Sequence, residues 1–396
     1  MKISKRASAV APSATLKIDA AYKQMKASGI DVVGFGAGEP DFDTPEYIKA
    51  AANEAISSGF TKYTPASGTE DIKKAVIMRI KDRYGIEYNV NQAVISNGAK
   101  HSLYNSFAAI LDPGDEVIVI SPYWVTYPEL IRMCGGVPIF VKAYEENSFV
   151  PLVSDIRAKI TDRTRAIVVN NPSNPCGATY DRDTLIGIAD LAKEFDLYVI
   201  ADEIYDELVF TESYTSFPTI SEDAKERTIL VNGLSKSYAM TGWRIGYTLS
   251  SPEIAKAMGS LQSHMTSNPC SIAQYAGTVA LTGPQEDLKQ MIGVFKKRRS
   301  LICSLINDIP LISCKEPTGT FYVFPNISGI IGKSYKGKKI GSSIEFADML
   351  LTNELVAVVP GSAFGSDDHM RLSYATSEEN IIKGLARIKN FCAELV

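Results

Sequence analysis

The sequence predicts an α/β protein: a large three-layer α/β/α domain on a mostly parallel sheet, with a smaller α+β domain beside it. Two observations carry that expectation. Between about residues 90 and 250, short β-branched runs alternate with helical patterns, and the runs are apolar along their length rather than at every second position. A strand that is apolar on both faces is buried on both, as happens when crossover helices cover the two sides of a parallel sheet. After residue 283 the pattern changes to a long charged helix, short strands and a final helix.

Taken in order, the chain up to Asp43 reads as a helix plus a Gly/Pro-rich stretch that packs back on the later domain. Strands are expected at 93–96, 116–120, 166–170, 197–201 and 229–232. A helix over 100–111 is stopped by Asp112-Pro113-Gly114, since proline cannot continue a helix and glycine suits the turn. Another over 181–195 leads directly into a strand. Beyond these come a charged helix over 285–307, a strand at 319–324 and a helix from Ser377 to the C-terminus. The domains are then 44–283 for the large one, and 1–43 with 284–396 for the small one.

Composition narrows the function. Of 396 residues, 45% are hydrophobic and 22% charged, which is ordinary for a water-soluble globular protein. A net charge of −4 with dispersed basic residues gives no footprint for nucleic acid, so a small-molecule partner is expected. With three histidines and six cysteines lacking metal-type spacing, zinc chemistry is not expected. No apolar run is long enough for a membrane span, and the basic start lacks a signal-peptide core, so the expected location is the cytoplasm.

Candidate chemistry gathers at strand ends, on the face where open α/β sheets bind ligands. Lys236 stands in a Ser235-Lys236-Ser237 turn with Arg244 eight residues on. A primary amine can hold an aldehyde cofactor as a Schiff base, and a guanidinium can fork onto its phosphate. The same segment also reads as a solvated turn, with Arg244 in a surface ion pair. Asp202 ends one expected strand and Tyr205 follows it. A carboxylate there can keep a pyridine nitrogen protonated, and a phenol can hydrogen-bond the neighbouring ring oxygen. Asn174 lies in the stiff loop Asn171-Pro172-Ser173-Asn174-Pro175-Cys176-Gly177. Gly98-Ala99-Lys100 leads from a strand into a helix, where backbone N–H groups receive anions. Trp124, one of two tryptophans, follows another strand and can stack on a planar ring or simply pack. Two glycine-bearing segments do not fit nucleotide motifs: Gly332-Lys333-Ser334 has Ile327 where a phosphate loop needs glycine, and Gly34 to Gly38 lies outside the parallel sheet.

In this order, the Asn171–Gly177 loop, Ala201-Asp202-Glu203-Ile204-Tyr205 and Ser235-Lys236 followed by Gly242-Trp243-Arg244 resemble the class I pyridoxal-phosphate aminotransferases. Matches extend from Gly36-Ala37-Gly38-Glu39-Pro40-Asp41 to Met370-Arg371-Leu372-Ser373-Tyr374, and Ala239 to Tyr247 is similar to the bacterial branch of aspartate aminotransferases. The resemblance implies the type I fold of pyridoxal 5′-phosphate enzymes and covers nearly the whole chain. It implies that Lys236 carries the cofactor and then acts as acid–base catalyst. Asp202 pairs the pyridine nitrogen, Tyr205 contacts the 3′-oxygen, and Arg244, Ser235 and the amides of Gly98, Ala99 and Lys100 hold the phosphate. Trp124 stacks on the ring and Asn174 lies between cofactor and substrate. Arg371 forks onto the substrate α-carboxylate with Gly38 closing over it, and Tyr63 reaches the phosphate of the neighbouring subunit in a homodimer with shared sites.

The implied reaction is ping-pong transfer between an amino acid and a 2-oxo acid. Lys100 matches the lysine that contacts a second substrate carboxylate, which makes aspartate and glutamate the leading donors. Members that accept prephenate look to carry a lysine before Pro-Ser-Ala-Thr, where this chain has Ala11 before Pro12. That departure weighs against prephenate as an acceptor, and a broader-specificity aminotransferase acting on aromatic, neutral or prephenate substrates is the alternative. The same scaffold also hosts lyases and non-catalytic cofactor-binding modules; the latter would require an appended DNA-binding segment, for which no stretch is expected before the first match.

Overall fold

The computed structural model describes residues 2–8, 10 and 14–396; Ala11, Pro12 and Ser13 lie outside the described residues. In chain order the strands are β1 (Val33–Gly34), β2 (Ala93–Ser96), β3 (Glu116–Ser121), β4 (Val137–Lys142), β5 (Thr164–Asn170), β6 (Tyr198–Asp202), β7 (Thr228–Gly233) and β8 (Gly246–Leu249). Six short ones complete the set: β9 (Tyr322–Val323), β10 (Ser334–Tyr335), β11 (Lys338–Lys339), β12 (Val356–Ala357), β13 (Val359–Pro360) and β14 (Met370–Ser373).

Seven strands form the main sheet in the order β2-β8-β7-β6-β5-β3-β4. All its pairs are parallel except those of β8, which runs antiparallel to both β2 and β7. Along each strand successive side chains enter opposite cores. Ile118, Ile167, Val169, Val199 and Leu230 join one apolar cluster, while Val117, Ala166, Val168, Ile200 and Val231 join the other. Helices Glu70–Tyr84, Arg182–Glu194 and Ser271–Thr282 cover the first face, and Ala99–Ile110 and Pro252–Met265 the second. This double burial explains the unbroken apolar runs.

Local signals set the element ends. Asp181 caps its helix by accepting the Thr184 N–H at 2.8 Å, and Gly85 in the left-handed region closes Glu70–Tyr84. Two strands of the main sheet lie outside the five expected from sequence. Strand β4 contains Pro138, which is tolerated because β4 is an edge; β8 is only four residues long. The strand expected at 319–324 is confined to Tyr322–Val323, because Thr320 takes a positive φ of 64° and breaks the extended run.

A third apolar cluster lies around Phe295, Phe321, Phe346 and Phe391 and takes in Ile204, Tyr205 and Leu208 from the end of β6. The N-terminal segment joins this part: β1 pairs parallel with β12, and Ser373 donates its N–H to Phe35 O at 2.8 Å. Residues 36–39 are thereby carried to the C-terminal ends of β5, β6 and β7. No helix among the described residues is long and apolar enough to cross a membrane.

Candidate active site

A cavity of about 440 Å³ opens at these strand ends, and eleven of the sequence-predicted residues line it: Gly38, Ala99, Lys100, Trp124, Asn174, Asp202, Tyr205, Ser235, Lys236, Arg244 and Arg371. Gly98 lies directly behind Arg244. Tyr63 does not reach the cavity; it is 91% exposed.

The floor is built by adjacent parallel strands. Asn170 and Asp202 are register partners at the ends of β5 and β6, and Asn170 ties three segments together. Its Nδ2 donates to Asp202 O at 3.0 Å, and its Oδ1 accepts the Asn174 N–H at 2.8 Å. The Asp202 carboxylate is buried, accepting from the Tyr127 hydroxyl at 2.6 Å and the Ile204 N–H at 3.3 Å. Desolvation outweighs these bonds and the nearby Lys236 charge, so its pKa is raised to about 6. A carboxylate in such a dry place calls for a cationic partner.

Lys236 follows β7. Its Nζ donates to Gly38 O at 2.5 Å. Burial lowers its pKa to about 8, against the raising effect of Glu39 and with the help of the Arg371 and Arg244 charges. An amine so tuned is available as nucleophile and base near neutrality.

Arg371 projects from β14 and is buried. Its Nη1 donates to Asn174 Oδ1 at 3.2 Å and its Nη2 to Gly36 O at 3.1 Å, while the guanidinium lies 4.3 Å from the Tyr322 ring centroid. Nε has no hydrogen-bond partner, and no carboxylate among the described residues pairs with this cation. An anion, such as a substrate carboxylate, meets both needs.

The opposite end presents a second anion cradle. Gly98 adopts φ +84°, and a Cβ there would meet Arg244 Nη2 at 2.3 Å, so only glycine allows the arginine to lie against the start of helix Ala99–Ile110. Arg244 Nη1 donates to Thr241 O at 2.8 Å, which fixes the fork. Helix-start N–H groups, Ser235 and Arg244 together suit a phosphate. Lys100 Nζ lies 5.2 Å from the Trp124 ring centroid, and its pKa is lowered by burial and by Arg244. Trp124 is held edge-on by Tyr127 with centroids 5.4 Å apart.

Two phosphate-and-ring requirements and one carboxylate requirement are thus met by the residues present, and pyridoxal 5′-phosphate fits the donor set. Sequence reasoning passed over Tyr127, Asn170 and Tyr322. Tyr322 accepts a hydrogen bond from the Tyr205 hydroxyl at 3.3 Å as well as stacking on Arg371. Each of the three lies in a run that reads as ordinary core, and only Asn170, a polar residue ending an apolar strand, offered a signal. Cys176 is buried, and burial pushes its thiol well above the usual range.

Residues 30–388 match the family model for aminotransferase class I and II. The aspartate aminotransferase of Bacillus subtilis is 45% identical over 99% of each chain. The aspartate/prephenate aminotransferase of Cereibacter sphaeroides is 44% identical, covering 98% of this chain and 97% of its own. Among solved structures, the aspartate aminotransferase from Rhizobium meliloti superposes with a TM-score of 0.96 at 40% identity, covering all of both chains.

Proposed function

The chain belongs to the class I and II aminotransferases, and on that footing we propose that it is a pyridoxal 5′-phosphate-dependent aspartate aminotransferase. It moves the α-amino group of aspartate or glutamate to oxaloacetate or 2-oxoglutarate in a ping-pong cycle. One observation carries the reading. Lys236 and Arg371 converge on a single short segment, the first on Gly38 O and the second on Gly36 O. An α-amino acid whose carboxylate is forked by Arg371 has its Cα beside the Lys236 amine.

When bound, the cofactor supplies an electron sink for the pair left as the Cα–H bond breaks. Asp202, itself held by Tyr127, would keep the pyridine nitrogen protonated and so make this sink effective. Tyr205 would hydrogen-bond the ring oxygen, and Arg244, Ser235 and the amides at residues 98–100 would hold the phosphate. Lys236 Nζ accepts the Cα proton; a pKa of about 8 lets it take up and release protons in the same pH range. Arg371 and Asn174 orient the substrate so that the bond to be broken faces Lys236. Lys100, beside Trp124, offers the cation for the second carboxylate.

Residues 44–283 serve as the cofactor-binding domain and 1–43 with 284–396 as the smaller one. Tyr63, exposed on this chain, is proposed to complete the site of a second copy, and the proposed functional unit is a cytoplasmic homodimer. A donor panel tests the whole reading: aspartate and glutamate should convert the bound cofactor's visible spectrum, and 2-oxoglutarate should restore it. Because the Cereibacter relative is named for prephenate as well, that acceptor belongs in the panel. A spectrum unmoved by aspartate and converted by neutral donors would overturn the assignment.

A further inference from the structure

Asp202 and Tyr205 share one tight turn, residues 202–207, whose two faces do different things. Asp202, Ile204 and Tyr205 face the cavity. Behind them Asp206 and Glu207 are buried, bonded to helix Glu70–Tyr84, and neither lines the cavity.

Two arginines one helical turn apart on that helix grip the rear face. Arg83 Nη1 donates to Glu207 Oε2 at 2.5 Å and its Nη2 to Asp206 O at 2.8 Å, so one guanidinium spans side chain and backbone of the turn. Arg83 Nε donates to Tyr84 OH at 2.8 Å, and that hydroxyl donates on to Asp206 Oδ2 at 2.9 Å. Arg79 closes on the other Glu207 oxygen. The Arg79 guanidinium also lies 5.7 Å from the ring centroid of Tyr238, two residues beyond Lys236. A single helix face therefore touches both segments that bear the proposed cofactor ligands.

Charge placed this way is not needed for burial alone. The Glu207 side chain is 6% exposed and would cost less as an apolar group packed in the same space. What a hydrogen-bonded ion pair adds over an apolar contact is direction, fixing the turn in rotation as well as in depth.

We infer that Arg79 and Arg83, acting through Glu207, Asp206 and Tyr84, are positioning residues that set the orientation of Tyr205 and Asp202 toward the bound cofactor. The inference rests on the cofactor reading above. It concerns how firmly the ring is held, and none of these side chains touches substrate.

The test uses purified holoenzyme and two readouts other than activity: visible circular dichroism per bound cofactor, which reports the fixed asymmetry of the ring, and the pyridoxal 5′-phosphate dissociation constant from tryptophan quenching. Arg83→Met is expected to lower the dichroic amplitude by about half or more and to raise the dissociation constant by about tenfold, as when groups behind a ligand set are removed. Tyr84→Phe should move both in the same direction by less, and Arg83→Lys should recover part of each. Arg157→Met, which breaks a surface pair with Glu194, serves as the control and should move neither. An Arg83→Met protein that melts earlier yet keeps wild-type dichroism and affinity would show a merely structural clamp and overturn the inference. If Arg83→Met does not fold, Tyr84→Phe decides by the same two readouts. A wild-type protein that takes up no cofactor at all would instead overturn the functional reading.

Discussion

The Tyr127 hydroxyl, carried by helix Thr126–Met133, donates to Asp202 Oδ2 at 2.6 Å. That bond lowers the proton affinity of Asp202, but burial raises it further, and the carboxyl is left at about 6 against an ordinary 3.8. The folded state therefore binds the proton more tightly than the unfolded one, so this group's stabilisation is complete below pH 3.8 and is lost as pH rises through 6.

From that sign a measurement follows for the cofactor-free protein. Replacing Asp202 by Asn removes the titration. The stability of Asp202→Asn relative to the parent should rise by about 2 kcal/mol between pH 4 and pH 7 in urea unfolding. With cofactor added the order reverses: the variant should bind it about 100-fold more weakly, having lost the anion that faces the pyridine nitrogen. A stability difference flat in pH would contradict the burial argument.

Lys236 titrates in the opposite sense. Its pKa is lowered to about 8, so the unfolded chain holds that proton more tightly, and this contribution to stability grows as pH rises above 8. The functional counterpart is uptake of pyridoxal 5′-phosphate by the cofactor-free protein. The rate at which the visible band appears should rise with pH around a midpoint near 8, and Lys236→Ala should give no such band.

Removing the Arg371 fork should act on both binding and chemistry. Arg371→Lys keeps a charge but not the paired donors to Asn174 Oδ1 and Gly36 O. Its kcat/KM for aspartate should fall by about 100-fold or more, with kcat reduced as well as KM raised, because the Cα–H bond is no longer aimed at the amine. Unchanged kcat in steady-state assays would assign Arg371 to binding alone.

Lys100 separates dicarboxylic from neutral donors. Lys100→Met keeps the length of the side chain over Trp124 while deleting its charge. The variant should lose about tenfold or more in kcat/KM for aspartate and glutamate and little for alanine. Equal losses for all three donors would move the second-carboxylate contact elsewhere.

Gly98 supplies a backbone test. Gly98→Ala forces a methyl group to within 2.3 Å of Arg244 Nη2 and strains a φ of +84°. Phosphate-bearing cofactor should bind about tenfold more weakly, while dephosphorylated pyridoxal, which makes no phosphate contact, should be little affected. Titration of the two ligands against tryptophan fluorescence distinguishes them.

Much of this was legible from the order of residues. Apolar runs bounded by turn residues located five strands of the main sheet, and polar residues just past those runs located Asp202, Asn174 and Lys236. What was hidden had physical causes. Strand β4 carries a proline that an edge permits but a central strand would not. Tyr127 and Tyr322 act through hydroxyls that come into range only when a helix and a distant strand pack across the sheet, and a tyrosine within an apolar run gives no sign of where its oxygen points. The arginine clamp was hidden for the same reason, since its partners Asp206 and Glu207 lie more than a hundred residues away and meet Arg83 only when helix Glu70–Tyr84 packs against their turn.

Strand β8 has a further consequence for how the molecule is put together. β2 has no neighbour in the sheet except β8, so the earliest strand of the sheet to be synthesised waits for the last one to arrive. Gly246 opens β8 two residues after Arg244, and a Cβ on it would meet Ala99 N at 2.2 Å. The contact that admits β8 is thus also the contact that brings Arg244 against residues 98–99. Sheet closure and completion of the phosphate cradle are one event in assembly, and a chain halted before β8 has neither.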